Sequence, residues 1–187
     1  SLGSPKGLTS VASGGTLEIQ SSFVTNETIF LRGGNLNSGS VGGTLRGPLL
    51  LGEDGTILSK SASVLSLAGP VISRPGTVLA LTGPGDIILA NTSNQMGSIT
   101  LGGASGNTNL TRLFIGAGFG QNGSAGSVGR TAINNRGSVI VNVNDAHFVL
   151  GSMISGTGTL VIGAAVPVAP TITFGPAPTP TYLGGNF

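Results

Sequence analysis

The chain has no cysteine and no tryptophan, a single tyrosine, and only eight Lys/Arg and six Asp/Glu in 187 residues. Each shortage excludes something. Without cysteine no disulfide framework can hold the fold, so stability has to come from packing and backbone pairing, while an extracellular location stays open. Charged residues make up 7%, against about 25% in ordinary domains. That leaves little for metal cages, paired catalytic acids, charged coiled coils or basic grooves. The cations run from Lys6 to Arg136 with no two adjacent, so the net charge of +2 offers no sequence cluster to displace counterions, and no nucleic-acid partner is expected. No apolar run approaches the roughly 20 residues of a membrane helix. With Tyr182 the only tyrosine, the aromatic girdles of a membrane barrel are missing too. Ser1–Val11 has neither a basic start nor an apolar run, so an exported chain is expected here in processed form or as an excised piece.

What is present is glycine, 34 residues of it, and short apolar bursts. Gly or Pro interrupts almost every stretch on which a helix could form. The bursts alternate with small polar residues, as in Leu17/Ile19, Leu65/Leu67, Leu79/Leu81, Ile87/Leu89, Ile99/Leu101, Leu113/Ile115, Val139/Val141/Val143 and Leu160/Ile162. A period of two with one apolar face is a strand, and the Gly, Asn and Ser between bursts supply turns. The chain reads as all-β.

The strands repeat. The triplet Gly, then Ser or Thr, then Leu, Ile or Val begins at Gly15, Gly55, Gly76, Gly97, Gly137 and Gly158, in single or double steps of 20–21 residues. Gly34-Asn35-Leu36 and Gly118-Phe119 fill the skipped places, while the triplets at Gly39, Gly43 and Gly126 fall off the lattice. A repeat of this length with glycine corners fits one coil of a β-solenoid, in which stacking at about 4.8 Å closes the core and pairs the backbone. Eight lattice places predict roughly eight coils and a rod near 38 Å long.

Beyond Gly163 the composition changes: Pro167, Pro170, Pro176, Pro178 and Pro180 crowd the end, with Thr171–Phe174 as one plausible strand between them. The expected division is a repeat domain over 1–165 and a Pro-rich tail over 166–187. On composition alone the tail reads as an extended linker. The expectation favoured over it is a tail that packs as a cap or onto a neighbouring molecule, with Ile172, Phe174, Tyr182 and Phe187 as its contact residues.

Leu113-Phe114-Ile115-Gly116, Gly123-Ser124-Ala125-Gly126, Ala132 to Val139, Val141 to His147 and above all Ile154-Ser155-Gly156-Thr157-Gly158-Thr159-Leu160-Val161 resemble the autotransporter-associated β-strand repeat. A weaker copy runs from Leu67 to Asn91. Together the copies cover about half the chain. The resemblance implies a right-handed parallel β-helix, bacterial export and a surface or fibrous role, and brings no catalytic residues with it. The translocator barrel of autotransporters is not in this sequence, which implies that it was removed or that the chain belongs with exoproteins that reuse the repeat.

Some β-helices cleave polysaccharides, a chemistry that needs two carboxylates, or a base beside metal-binding acids, on one face. Of Glu18, Glu27, Glu53, Asp54, Asp86 and Asp145, only Asp86 and Asp145 share a phase, about three coils or roughly 14 Å apart. Glu53 and Asp54 read as a solvated turn. Asp145 and His147 point the same way on a strand, but no nucleophile accompanies them and a surface pair is expected. Gly83-Pro84-Gly85-Asp86 occurs once, whereas calcium-binding nonapeptides recur in tandem. Gly116–Gly120 lacks dinucleotide-loop spacing. Asn134-Asn135 and Asn142/Asn144 read as turns or hydrogen-bonding ladders.

No catalytic, metal or cofactor residue is therefore expected. The leading expectation is a non-enzymatic structural protein of the bacterial exterior, extracellular or on the cell surface, whose copies stack head to tail into a filament or surface layer through open strand edges. The alternatives are an adhesin fragment binding host or matrix ligands through its side, and a polysaccharide-active enzyme.

Overall fold

The computed structural model describes residues 7–20, 22–102, 111–118, 125–144, 149–163 and 173–174. Four turns carry three strands each: β1 (Leu8–Ala12), β2 (Thr16–Ile19) and β3 (Phe23–Thr25); β4 (Thr28–Arg32), β5 (Asn35–Ser38) and β6 (Gly42–Leu45); β7 (Leu49–Leu51), β8 (Gly55–Leu58) and β9 (Val64–Leu67); β10 (Val71–Ser73), β11 (Val78–Thr82) and β12 (Asp86–Leu89). Then follow β13 (Ser98–Leu101) with β14 (Arg112–Gly116), β15 (Ala132–Asn135) with β16 (Ser138–Asn142), then β17 (Val149–Leu150), β18 (Ile154–Gly156) and β19 (Thr159–Ile162), and finally β20 (Thr173–Phe174).

The strands stack into three parallel walls. The first holds β1-β4-β7-β10, the second β2-β5-β8-β11-β13-β15-β18, and the third β3-β6-β9-β12-β14-β16-β19. The chain is thus an all-β parallel solenoid, as its alternating bursts require. Side chains at every second position point inward and meet their equivalents one turn above. One column of the second wall runs Leu17, Leu36, Ile57, Leu81, Leu101, and one of the third runs Leu45, Leu67, Leu89, Ile115, Val141. Leu36, Leu81, Leu101 and Val141 are fully buried, each such side chain contributing about 1.5–3 kcal/mol by leaving water. A slip of one residue would turn a whole strand's apolar set outward, so the columns fix the register.

Close approach of turns is what the glycines allow. At the corner after the third wall, Gly47 and Gly69 sit one above the other, and a Cβ on Gly69 would collide with the Gly47 carbonyl oxygen. The Gly69 N–H instead donates to the Leu45 carbonyl at 3.0 Å.

The coil count needs correcting. Seven strands in each of the second and third walls give seven layers, six full turns from β2 to β18, and a rod of about 29 Å. The glycine lattice overcounts because it changes walls. Gly15, Gly34, Gly55, Gly76 and Gly97 lead into the second wall, whereas Gly137 and Gly158 lead into β16 and β19 of the third. Gly118 follows β14 and leads into no strand among the described residues. Between Ile99 and its partner Ile133 the turn grows to 34 residues, and that extra length absorbs one expected coil.

The first wall ends as a strand at β10, but its line continues. Ile72 bridges to Gln95, and the buried Asn94 accepts from Val71 N–H at 2.8 Å while its amide donates to the carbonyls of Asn91 and Ser127. One amide side chain so replaces ladder bonds across three layers.

Candidate functional site

The acids are dispersed, each with its own local partner or setting. Glu18, on the outer face of the second wall, accepts from Lys60 Nζ at 3.0 Å and from Gln20 at 3.0 Å. These hydrogen bonds, that from Lys60 first, hold its carboxyl below the ordinary glutamate value. Glu27 is buried at the corner before β4 and accepts from the Thr9 hydroxyl at 2.5 Å. Asp54 accepts from Val78 N–H at 2.8 Å, and it and Glu53 are exposed in their turn. Asp86, at the start of β12, meets Arg112 Nε at 2.6 Å. Among the described residues no three metal-ligating side chains come together. Asp145 and His147 lie outside the described residues.

Polar side chains inside the solenoid are structural. At the corner between the second and third walls, Ser63 donates to Ser38 at 2.6 Å, and Ser59 donates to the Asp86 carbonyl at 3.0 Å. Asn135 continues the apolar column above Leu101 yet is fully buried. Its amide donates to Thr159 O at 2.9 Å and its oxygen accepts from Gly137 N–H at 3.0 Å. Asn134 beside it is exposed.

Of the expected contact residues, Ile172, Tyr182 and Phe187 lie outside the described residues. Phe174 falls in β20, which pairs in parallel with β17, Val149 opposite Thr173 and Leu150 opposite Phe174. In chain order β17 lies between a third-wall and a second-wall strand, the place that the first wall holds in earlier turns. The tail strand β20 therefore adds one step to that side of the last turn, while β18 and β19 remain the terminal strands of their walls.

Each terminal layer holds inward residues that are less buried than their column partners, beside sealed ones such as Ile19 in the first layer and Ile154 and Leu160 in the last. At the beginning Leu17 and Phe23 are only partly buried although they pack against the core, whereas Leu36 and Leu65 in the same columns are sealed. At the other end Ile162, partner of the buried Val141, is 40% exposed. Among the described residues β2, β3, β18 and β19 each have one neighbouring strand.

A second feature lies along the corner between the first and second walls. Arg32, Gly52 and Arg74 follow the in-register residues Leu31, Leu51 and Ser73, and line a recess of about 270 Å³ with Phe30 and Glu53. Next along the axis comes a recess of about 530 Å³ lined by Ser73, Pro75, Gln95, Gly129 and Arg130, among others. Sequence spacing gave no hint of a cationic cluster here, because the arginines meet only after whole turns are wound.

Among the described residues no helix is long and apolar enough to cross a membrane. Comparison with protein-family models, curated proteins and solved structures gives no match.

Proposed function

We propose that this chain is a non-enzymatic structural rod of the bacterial exterior whose copies join end to end into a filament or surface layer. The observation that carries the reading lies at the two ends. At one end the inward Leu17 and Phe23 are only partly buried and at the other Ile162 is exposed, beside strands that have one neighbour each among the described residues. A second copy placed in line continues the walls at the same spacing of about 4.8 Å. Its β2 and β3 pair with β18 and β19, which brings Thr25 in line with the exposed Ile162 and Phe23 in line with Leu160. Such an interface is heterologous and does not close on itself, so it builds a filament. The scattering of the acids supports a role without catalysis: Asp86 and Glu18 are engaged by cations and Glu27 is enclosed.

The tail strand β20 occupies the place above β17 that an arriving β1 would take. The two compete, and the tail limits growth. Electron microscopy and sedimentation at rising concentration test the reading. Filaments one solenoid wide are expected, longer when the chain is cut after Gly163. Monomers at every concentration for both forms would refute it.

A further inference from the structure

The described arginines without an ion-pair partner are Arg32, Arg46, Arg74, Arg130 and Arg136. Three of the five line the corner between the first and second walls. Arg32 belongs to the second layer, Arg74 to the fourth, and Arg130 leads into β15 in the sixth. Arginines thus recur at every second layer, on backbones about 9.6 Å apart along the axis. In the third layer the place between Arg32 and Arg74 is Gly52, and Phe30 folds its half-buried ring over it, since a Cβ there would lie 2.7 Å from the ring's Cζ. Glu53 stands beside this ring. The order along the groove is therefore positive, then aromatic with a negative charge, then positive, then positive again two layers on.

We propose that this groove binds a linear acidic polysaccharide, an extended chain with a carboxylate on alternate sugars, laid along the solenoid axis. A guanidinium grips a carboxylate through two parallel hydrogen bonds. In a ribbon-like β-linked chain successive sugars face opposite ways, so every second one presents its carboxylate to the same side, matching the alternate-layer arginines. The intervening neutral sugar lies on the Phe30 ring and donates hydroxyls to Glu53, which repels a carboxylate at that place. A compact anion would use one arginine and leave the rest of the groove empty. The groove is complete within one copy, so the proposal does not depend on end-to-end assembly.

The test is calorimetric titration of the full chain with three oligosaccharides of equal length: alternating glucuronate and N-acetylglucosamine, neutral N-acetylglucosamine alone, and galacturonate alone. The alternating chain is expected to bind at least tenfold more tightly than either of the others. Arg32→Gln with Arg74→Gln should weaken it at least tenfold, and Glu53→Gln should improve galacturonate selectively. Arg46→Gln and Arg136→Gln, at the other two corners, should leave affinity unchanged, with thermal melts confirming that every variant is folded. Equal binding of the neutral chain, equal losses at Arg46 and Arg136, or no binding of the alternating chain would each overturn the proposal. So would tighter binding of anionic phospholipid vesicles or duplex DNA than of any of the three glycans.

Discussion

Asp86 and Arg112 hold the same place in successive turns of the third wall, and their side chains meet there at 2.6 Å. They are 26 residues apart in the chain and neighbours only because one turn has been wound between them. The guanidinium carbon also lies 6.0 Å from the centre of the Phe114 ring. Phe114 is buried although it alternates with the core residues Leu113 and Ile115.

Replacing Asp86 by Ala should lower stability by about 1–2 kcal/mol, because its carboxylate is largely enclosed while Arg112 is 44% exposed and screened by water. A urea melt should show a lower midpoint with an unchanged slope.

Glu18 should titrate below the ordinary glutamate value of 4.5, since Lys60 and Gln20 stabilise its charged form. A folded pKa below the unfolded one means that this contact stabilises the fold above pH 4.5 and is lost as pH falls through the lowered value. Carboxyl NMR should place Glu18 lower in the natural chain than in Lys60→Met. An unchanged value in that variant would show that the pair does not persist in solution.

Asn135→Leu should destabilise the protein even though it makes an apolar column more apolar. Leucine leaves Gly137 N–H without its buried acceptor, and the amide bond to Thr159 is lost as well. The expected cost is about 1–3 kcal/mol, read from thermal and urea melts.

At Gly69 the corner has no room for a methyl group. Gly69→Ala should force the turn away from Gly47 and cost more than about 3 kcal/mol, well above an ordinary surface substitution. Hydrogen exchange should quicken around Leu45 and Leu67, which hold the neighbouring bonds.

The strands themselves were readable in the sequence, because inward residues alternate along each wall, and so was the turn of about twenty residues. What the repeat could not convey was which wall a triplet starts. Gly15-Thr16-Leu17 opens a second-wall strand and Gly137-Ser138-Val139 a third-wall strand, yet both are the same corner followed by the same outward-inward pair. The 34-residue step from Ile99 to Ile133 then hid the change of phase. Contacts between charged residues were hidden for a related reason. Glu18 and Lys60 lie 42 residues apart, and the same interval separates Arg32 from Arg74; both are two turns. Neither pair looks close until the turn length is known wall by wall. In the sequence Asn135 looks like a turn or ladder residue, and only its place above Leu101 identifies it as core.

The most direct test of the end-to-end account mixes two blocked chains. Phe23→Lys places a cation at the first end, and Ile162→Lys places one at the last. Each variant alone should sediment as a monomer, and an equimolar mixture should form one-to-one dimers and nothing larger, because one open end of each kind remains. Monomers only in the mixture, or self-association of either variant alone, would contradict the account.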